Sequence, residues 1–145
     1  MRAPSTPLNP LTPFKYAVLA SGGGSNFQVL LDHSSLDRGR AGDLPALSVF
    51  MASNNSGSKA LERARAAGIP AYHVSTRTEG SEEAVGARLT SLLDEYDPDL
   101  LVLAGYMKKV PDAVLARMKN RVVNIHPAER PNGPPRLLRS LRYGC

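Results

Sequence analysis

Residues 16–26 read Tyr16-Ala17-Val18-Leu19-Ala20-Ser21-Gly22-Gly23-Gly24-Ser25-Asn26. Five consecutive apolar residues or tyrosine stop at a serine and three glycines. The run has the length of a buried strand, and the glycines end it in a tight turn. Ser25 is a good helix N-cap, and Phe27, Leu30 and Leu31 follow at helical spacing. A buried strand, a glycine turn and an amphipathic helix form the opening unit of an α/β domain.

The alternation continues to residue 128. Leu47-Ser48-Val49-Phe50-Met51-Ala52 reads as a second strand, followed by the loop Ser53-Asn54-Asn55-Ser56-Gly57. Ser58 can cap the next helix. Gly68 stands at its C-terminal end, and Pro70 lies just beyond. Ala71-Tyr72-His73-Val74 is a short third strand. Ser81-Glu82-Glu83 opens a helix with Val85, Leu89, Leu92 and Leu93 on one face. Leu100-Leu101-Val102-Leu103-Ala104 is wholly apolar, as a strand covered on both faces should be. Pro111 suits the first position of a short helix reaching Met118. Val122-Val123-Asn124-Ile125-His126 is a last strand, stopped by Pro127. The expected fold class is α/β, with a mainly parallel sheet and right-handed crossovers. Ligands in such folds bind outside the C-terminal ends of the strands.

Four prolines in residues 1–14 suit an extended, disordered segment. The expected organisation is therefore this extension, a domain over residues 15–128 and an unstructured tail over 129–145. The 145 residues suffice for one domain with a real core. No apolar run approaches the ~20 residues that span a bilayer. Arg2 is not followed by an apolar leader segment. The sole cysteine, Cys145, allows no intrachain disulfide and no cysteine metal site. A soluble cytoplasmic protein is the resulting expectation. Arg130, Arg136, Arg139 and Arg142 stand against Glu129 alone in the tail. Most of the net charge of +5 therefore lies there, and the nearly neutral remainder argues against a nucleic-acid partner.

Two motifs carry chemistry. In the loop Gly22-Gly23-Gly24-Ser25-Asn26, glycines let backbone N–H groups approach an anion, and the following helix adds positive potential. A bound phosphate is the functional reading; a plain tight turn is the bland one. The loop lacks the Gly-Lys-Ser/Thr of a P-loop, and Phe27 replaces the third glycine of a dinucleotide fingerprint. The second motif is Asn124-Ile125-His126. Residues i and i+2 of a strand share a face, so Asn124 and His126 point together and Ile125 points into the opposite layer. The histidine can serve as general acid or base, and the amide can stabilise an oxyanion. A satisfied polar pair is the alternative. Met107 follows the fourth strand, where a ligand crevice or an aromatic–sulfur contact with Tyr106 would both suit it. Lys108 and Lys109 suit a solvated loop. His33, near a helix end, and His73, on an edge strand, read as structural. No histidine pair has metal-ligand spacing, so no metal is expected.

Taken in order, Ser21-Gly22-Gly23-Gly24-Ser25-Asn26, Ala104-Gly105-Tyr106-Met107 and Asn124-Ile125-His126-Pro127 resemble the phosphoribosylglycinamide formyltransferases. Leu61-Glu62-Arg63-Ala64-Arg65-Ala66-Ala67-Gly68-Ile69-Pro70 also looks like that family. The likeness covers residues 15–128. Two related formyl-transfer families fit less well: one lacks such a glycine-rich loop, and the other usually carries an extra regulatory domain. The resemblance implies a three-layer Rossmann-like formyltransferase fold and a place in purine biosynthesis. It implies transfer of a formyl group from 10-formyltetrahydrofolate to the amine of 5-phosphoribosylglycinamide, without a metal. By the same resemblance Gly24, Ser25 and Asn26 would bind the substrate phosphate. Met107, Lys108, Lys109, Val110 and Asn124 would line the folate pocket, and Asn124 and His126 would be catalytic.

Two departures accompany the likeness. Glu82 stands where the family often has a folate-contacting arginine. After His-Pro the family continues with Leu-Leu-Pro, a glycine-rich segment, a histidine and an aspartate that pairs with the catalytic histidine. Here Glu129-Arg130-Pro131 follows, and no aspartate occurs after Asp112. The composition shift after Ala128 reads as out-of-frame translation or the end of a truncated gene. The expected fold then misses its C-terminal part, and activity is impaired. The alternative is a non-catalytic fragment that binds only nucleotide phosphate.

Overall fold

The computed structural model describes residues 13–34 and 46–125. Within them the chain runs β1 (Phe14–Ala20), α1 (Ser25–His33), β2 (Ala46–Ser53), α2 (Lys59–Ala66), β3 (Ala71–His73), α3 (Thr76–Glu79), α4 (Glu82–Tyr96), β4 (Leu100–Ala104), α5 (Asp112–Arg117) and β5 (Val122–Ile125). The five strands form one sheet in the order β3-β2-β1-β4-β5, and every pairing is parallel. Strand order reverses between β1 and β4. The crevice of a doubly wound sheet opens at such a point. Among the described residues no helix is long and apolar enough to cross a membrane.

The near-continuous apolar character of β1 and β4 follows from cover on both faces. On one face Val18, Met51 and Val102 pack with Phe27 of α1 and Leu61 of α2. On the other Leu19, Phe50, Leu101 and Leu103 pack with Leu89, Leu92 and Leu93 of α4 and Val114 of α5. Ile125 belongs to the first cluster and Val122 to the second. Asn124, two residues after Val122, therefore shares the α4–α5 face, as the strand period requires. Arg117 ties α5 to the end of α4, reaching Asp94 at 2.8 Å and Asp97 at 3.3 Å. Hydrogen bonding to Asp94 holds the Arg117 guanidinium above its ordinary pKa.

Several element ends differ from the sequence reading. Strand β1 begins at Phe14, two residues before the apolar run. Ser25 is the first residue of α1, and the N-cap is Gly24, at φ 74°. The reason is packing. A Cβ at Gly24 would lie 2.8 Å from both Cα and Cβ of Ala60, so the loop rests directly on α2 and only glycine fits. Pro111 is the N-cap of α5 rather than its first residue, because its ψ of 143° is still extended. The single turn α3 has no apolar period to betray it. A reciprocal cap holds it: Ser75 and Thr78 each bond the other's backbone N–H. Ser58 caps α2 and Ser81 caps α4, as their side chains suggested.

Two substitutions test this packing. Gly24→Ala combines a left-handed φ with a backbone clash and should cost about 2–5 kcal/mol. Gly22→Ala places its methyl in open space and should stay within about 0.5 kcal/mol of the parent. Urea unfolding curves of the two variants check the contrast. Phe50 is fully buried and stacks against Tyr96 at 5.2 Å between ring centroids. Phe50→Ala should lower stability by about 3–5 kcal/mol, seen as a large drop in melting temperature.

Candidate functional site

The crevice forms where β1, β2, β3 and β4 end. Ser21 is its hinge pin. Its N–H donates to the Gly105 carbonyl at 3.2 Å, and its hydroxyl accepts from the Met107 N–H at 2.8 Å. The same hydroxyl bonds to Asn54 Oδ1, and Asn55 Nδ2 donates to the Ser21 carbonyl. The loops after β1, β2 and β4 are thereby joined. The Ser53-Asn54-Asn55 segment, where a dinucleotide site would carry an acid, buttresses the first loop instead.

Beside Ser21 lies an open cleft of about 960 Å³. That is the size of a pocket for a large organic ligand. Its floor and walls include Val85 and Gly86 of α4, Tyr106 and Met107 after β4, and His73 at the end of β3. Arg77, Lys108 and Lys109 face Glu82, Glu83 and Asp112 around the rim. The three cations and three carboxylates sum to no net formal charge along the lining. Burial pushes the Tyr106 hydroxyl above its ordinary pKa, so it stays a neutral O–H donor.

The sequence-derived candidates divide among the cleft, the core, the start of α1 and β5. Met107, Lys108 and Lys109 line the cleft. Met107 is 81% exposed, which removes the aromatic–sulfur packing alternative. Val110 is 2% exposed and packs in the core with α4 and α5, so its side chain does not line the cleft. Gly24, Ser25 and Asn26 lie at the N-terminus of α1, beside the cleft rather than in its wall. Gly24 supplies no capping side chain among the described residues, and the first N–H groups of α1, which have no intrahelical acceptor, can meet an anion. Asn124 is exposed on β5, level with Leu103 of β4 and outside the cleft wall. His126, like the expected tail, lies outside the described residues. His33 ends α1 and His73 ends the edge strand β3. Sequence reasoning missed Ser21, Arg77 and Glu83 as crevice residues. Their only signal was position: each lies at or just after a strand end, or at a helix start.

The comparisons with known proteins bear on the family and the fold. Residues 14–132 match the family described as formyl transferase. Phosphoribosylglycinamide formyltransferase of Escherichia coli (strain K12) is 36% identical over 117 residues, covering 81% of this chain and 53% of that protein. Trifunctional purine biosynthetic protein adenosine-3 of Drosophila melanogaster is 38% identical over 120 residues, covering 83% of this chain and 9% of that one. The crystal structure of glycinamide ribonucleotide transformylase 1 from Geobacillus kaustophilus superposes with a TM-score of 0.72 at 33% identity, over 86% of this chain and 64% of that one. The chain thus spans about half the length of the E. coli relative. With the matched family covering nearly all of the sheet and the crevice at its edge, the chain belongs to the formyl transferase family.

Proposed function

We propose that this chain contributes to transfer of a formyl group from 10-formyltetrahydrofolate to the amine of 5-phosphoribosylglycinamide, a step of purine biosynthesis. One observation carries the reading: a glycine loop after β1, a large cleft beside the loop after β4 and an exposed asparagine near the end of β5 lie at the same end of the sheet. A phosphate ester suits the uncapped start of α1, where Gly24, Ser25 and Asn26 offer backbone N–H groups. A pterin with an acidic tail suits the cleft. Its apolar part meets Val85 and Met107, and its carboxylates suit Arg77, Lys108 and Lys109.

The nucleophile is the substrate's own amine, so the protein need not supply one. Asn124 donates a side-chain N–H to the oxyanion that develops as the amine adds to the formyl carbon. Protonated His126 adds a second donor; as the intermediate collapses, the bond from the formyl carbon to the folate nitrogen breaks, tetrahydrofolate leaves, and His126 takes part in passing a proton to that nitrogen and receiving the one the amine loses. Met107, Lys108, Lys109 and Val110 hold the folate largely through backbone groups. Asn124 and Leu103 are partners across β5 and β4, so Asn124 lies beside the strand that leads into the cleft, which supports the oxyanion role.

Isothermal titration of the chain with glycinamide ribonucleotide and with a non-reactive folate analogue should show both bind. Phosphate-ligand binding with no folate binding and no turnover would support a phosphate-binding fragment and end the enzyme reading. In a formyl-transfer assay, Asn124→Ala should lower kcat about 10²–10³-fold with little change in KM. A kcat within threefold of the parent would remove Asn124 from the chemistry.

A further inference from the structure

Arg63 lies on α2 and has no part in the site as described so far. Its Nε–H donates to the Gly23 carbonyl at 2.8 Å, and Nη1 donates to the Gln28 side-chain carbonyl at 3.2 Å. Gln28 lies in the first turn of α1, so the guanidinium bridges the glycine loop and the helix it opens. Beside it, the Gly22 carbonyl accepts from Ser58 Oγ at 2.7 Å and from the Ala60 N–H at 3.3 Å. Two successive carbonyls of the loop are thus turned toward α2.

In a planar trans peptide the C=O and the N–H point in opposite directions. The described residues contain no cis peptide bond. The N–H groups of Gly23 and Gly24 therefore point away from α2. Gly24 then takes its left-handed φ of 74°, and its carbonyl accepts from the Gln28 N–H at 2.8 Å. Successive N–H groups turned the same way make an anion-binding concavity. A run of three glycines can present either edge of its peptides. The partners on α2 select which edge faces outward.

We propose that Arg63 is a positioning residue for a phosphate ester, holding the Gly23–Gly24 peptide with its N–H outward. This rests on the phosphate reading of the loop, and the test separates the two. The whole chain is titrated calorimetrically with glycinamide ribonucleotide, with the same compound lacking its phosphate, and with the folate analogue. The native chain should prefer the phosphate ester. Arg63→Met keeps the apolar stem and removes the donors. It should weaken the phosphate ester about tenfold or more, leaving the other two ligands and the melting temperature unchanged. Arg63→Lys should recover part of the loss.

Equal affinity of native and Arg63→Met chains for the phosphate ester overturns the role of Arg63 while the loop reading stands. Parallel loss for all ligands, with a lowered melting temperature, assigns Arg63 to folding alone and also overturns it. Absence of any phosphate preference in the native chain ends the loop reading itself. If Arg63→Met does not fold, an NMR titration of the native chain with inorganic phosphate decides. The Gly23 and Gly24 amide signals and the Arg63 Nε–H signal should shift along one saturation curve. An Arg63 signal that stays still overturns the role.

Discussion

Ser21 commits its N–H, its carbonyl and its hydroxyl to the neighbours of β1, and it is only 8% exposed. A buried polar group left without a partner costs about 1–3 kcal/mol. The three loops that it joins therefore hold one another in place. The Met107 backbone is fixed by a bond to a residue 86 positions earlier, while the Met107 side chain stays exposed. That division, a pinned backbone carrying a free side chain, suits a crevice wall that must recognise ligand through main-chain groups.

The sheet determines where those loops meet. Crossovers from β1 to β2 and from β2 to β3 carry α1 and α2 on one face, and the return to β4 carries α4 on the other. The chain leaves β1 in one direction and resumes beside it in the other, so the loops after β1 and β4 separate and leave space. Ser21 spans the base of that gap. The cleft opens on the α4–α5 side, whereas the glycine loop leans toward α2. One ligand's phosphate and another's ring system can thus be held on opposite sides of the same strand end, with Asn124 along the edge.

Strands β1, β2 and β4 and the four longer helices were legible in the sequence because each buries a continuous or periodic apolar set, whereas the partly buried β3 and β5 were legible as short apolar runs. Phe27, Leu61, Leu92 and Val114 are such residues, and all are fully buried. The misread details share a cause. Ser25 carries the side chain of an N-cap, but the start of α1 is set by Ala60, 36 residues after Gly24, and no local pattern displays that contact. Thr76–Glu79 becomes helical through the paired bonds of Ser75 and Thr78. The motif Asn-x-His marked Asn124 correctly at the end of a strand and on the face opposite Ile125. The roles of Ser21 and Arg63 were invisible, since their partners lie far away in the chain. A serine and an arginine have no spacing that announces a distant backbone carbonyl or amide.

The caps of the helices bear on the same question from the side of stability. Serines cap α2, α3 and α4 with hydrogen bonds to backbone N–H groups, whereas α1 opens on glycine with no side-chain acceptor. Glycine in place of a capping side chain costs a helix only about a few tenths of a kcal/mol. The close approach of Gly24 to Ala60 excludes any side chain at that position, including one that could cap. Packing on α2 thus leaves the first N–H groups of α1 without a capping side chain from Gly24. A phosphate oxygen would meet them at a terminus already biased toward negative charge. The contact that forbids a cap also brings α2 within reach of the loop, where Ser58, Ala60 and Arg63 hold the Gly22 and Gly23 carbonyls, so the stability of α1 and the orientation of the loop depend on one interface.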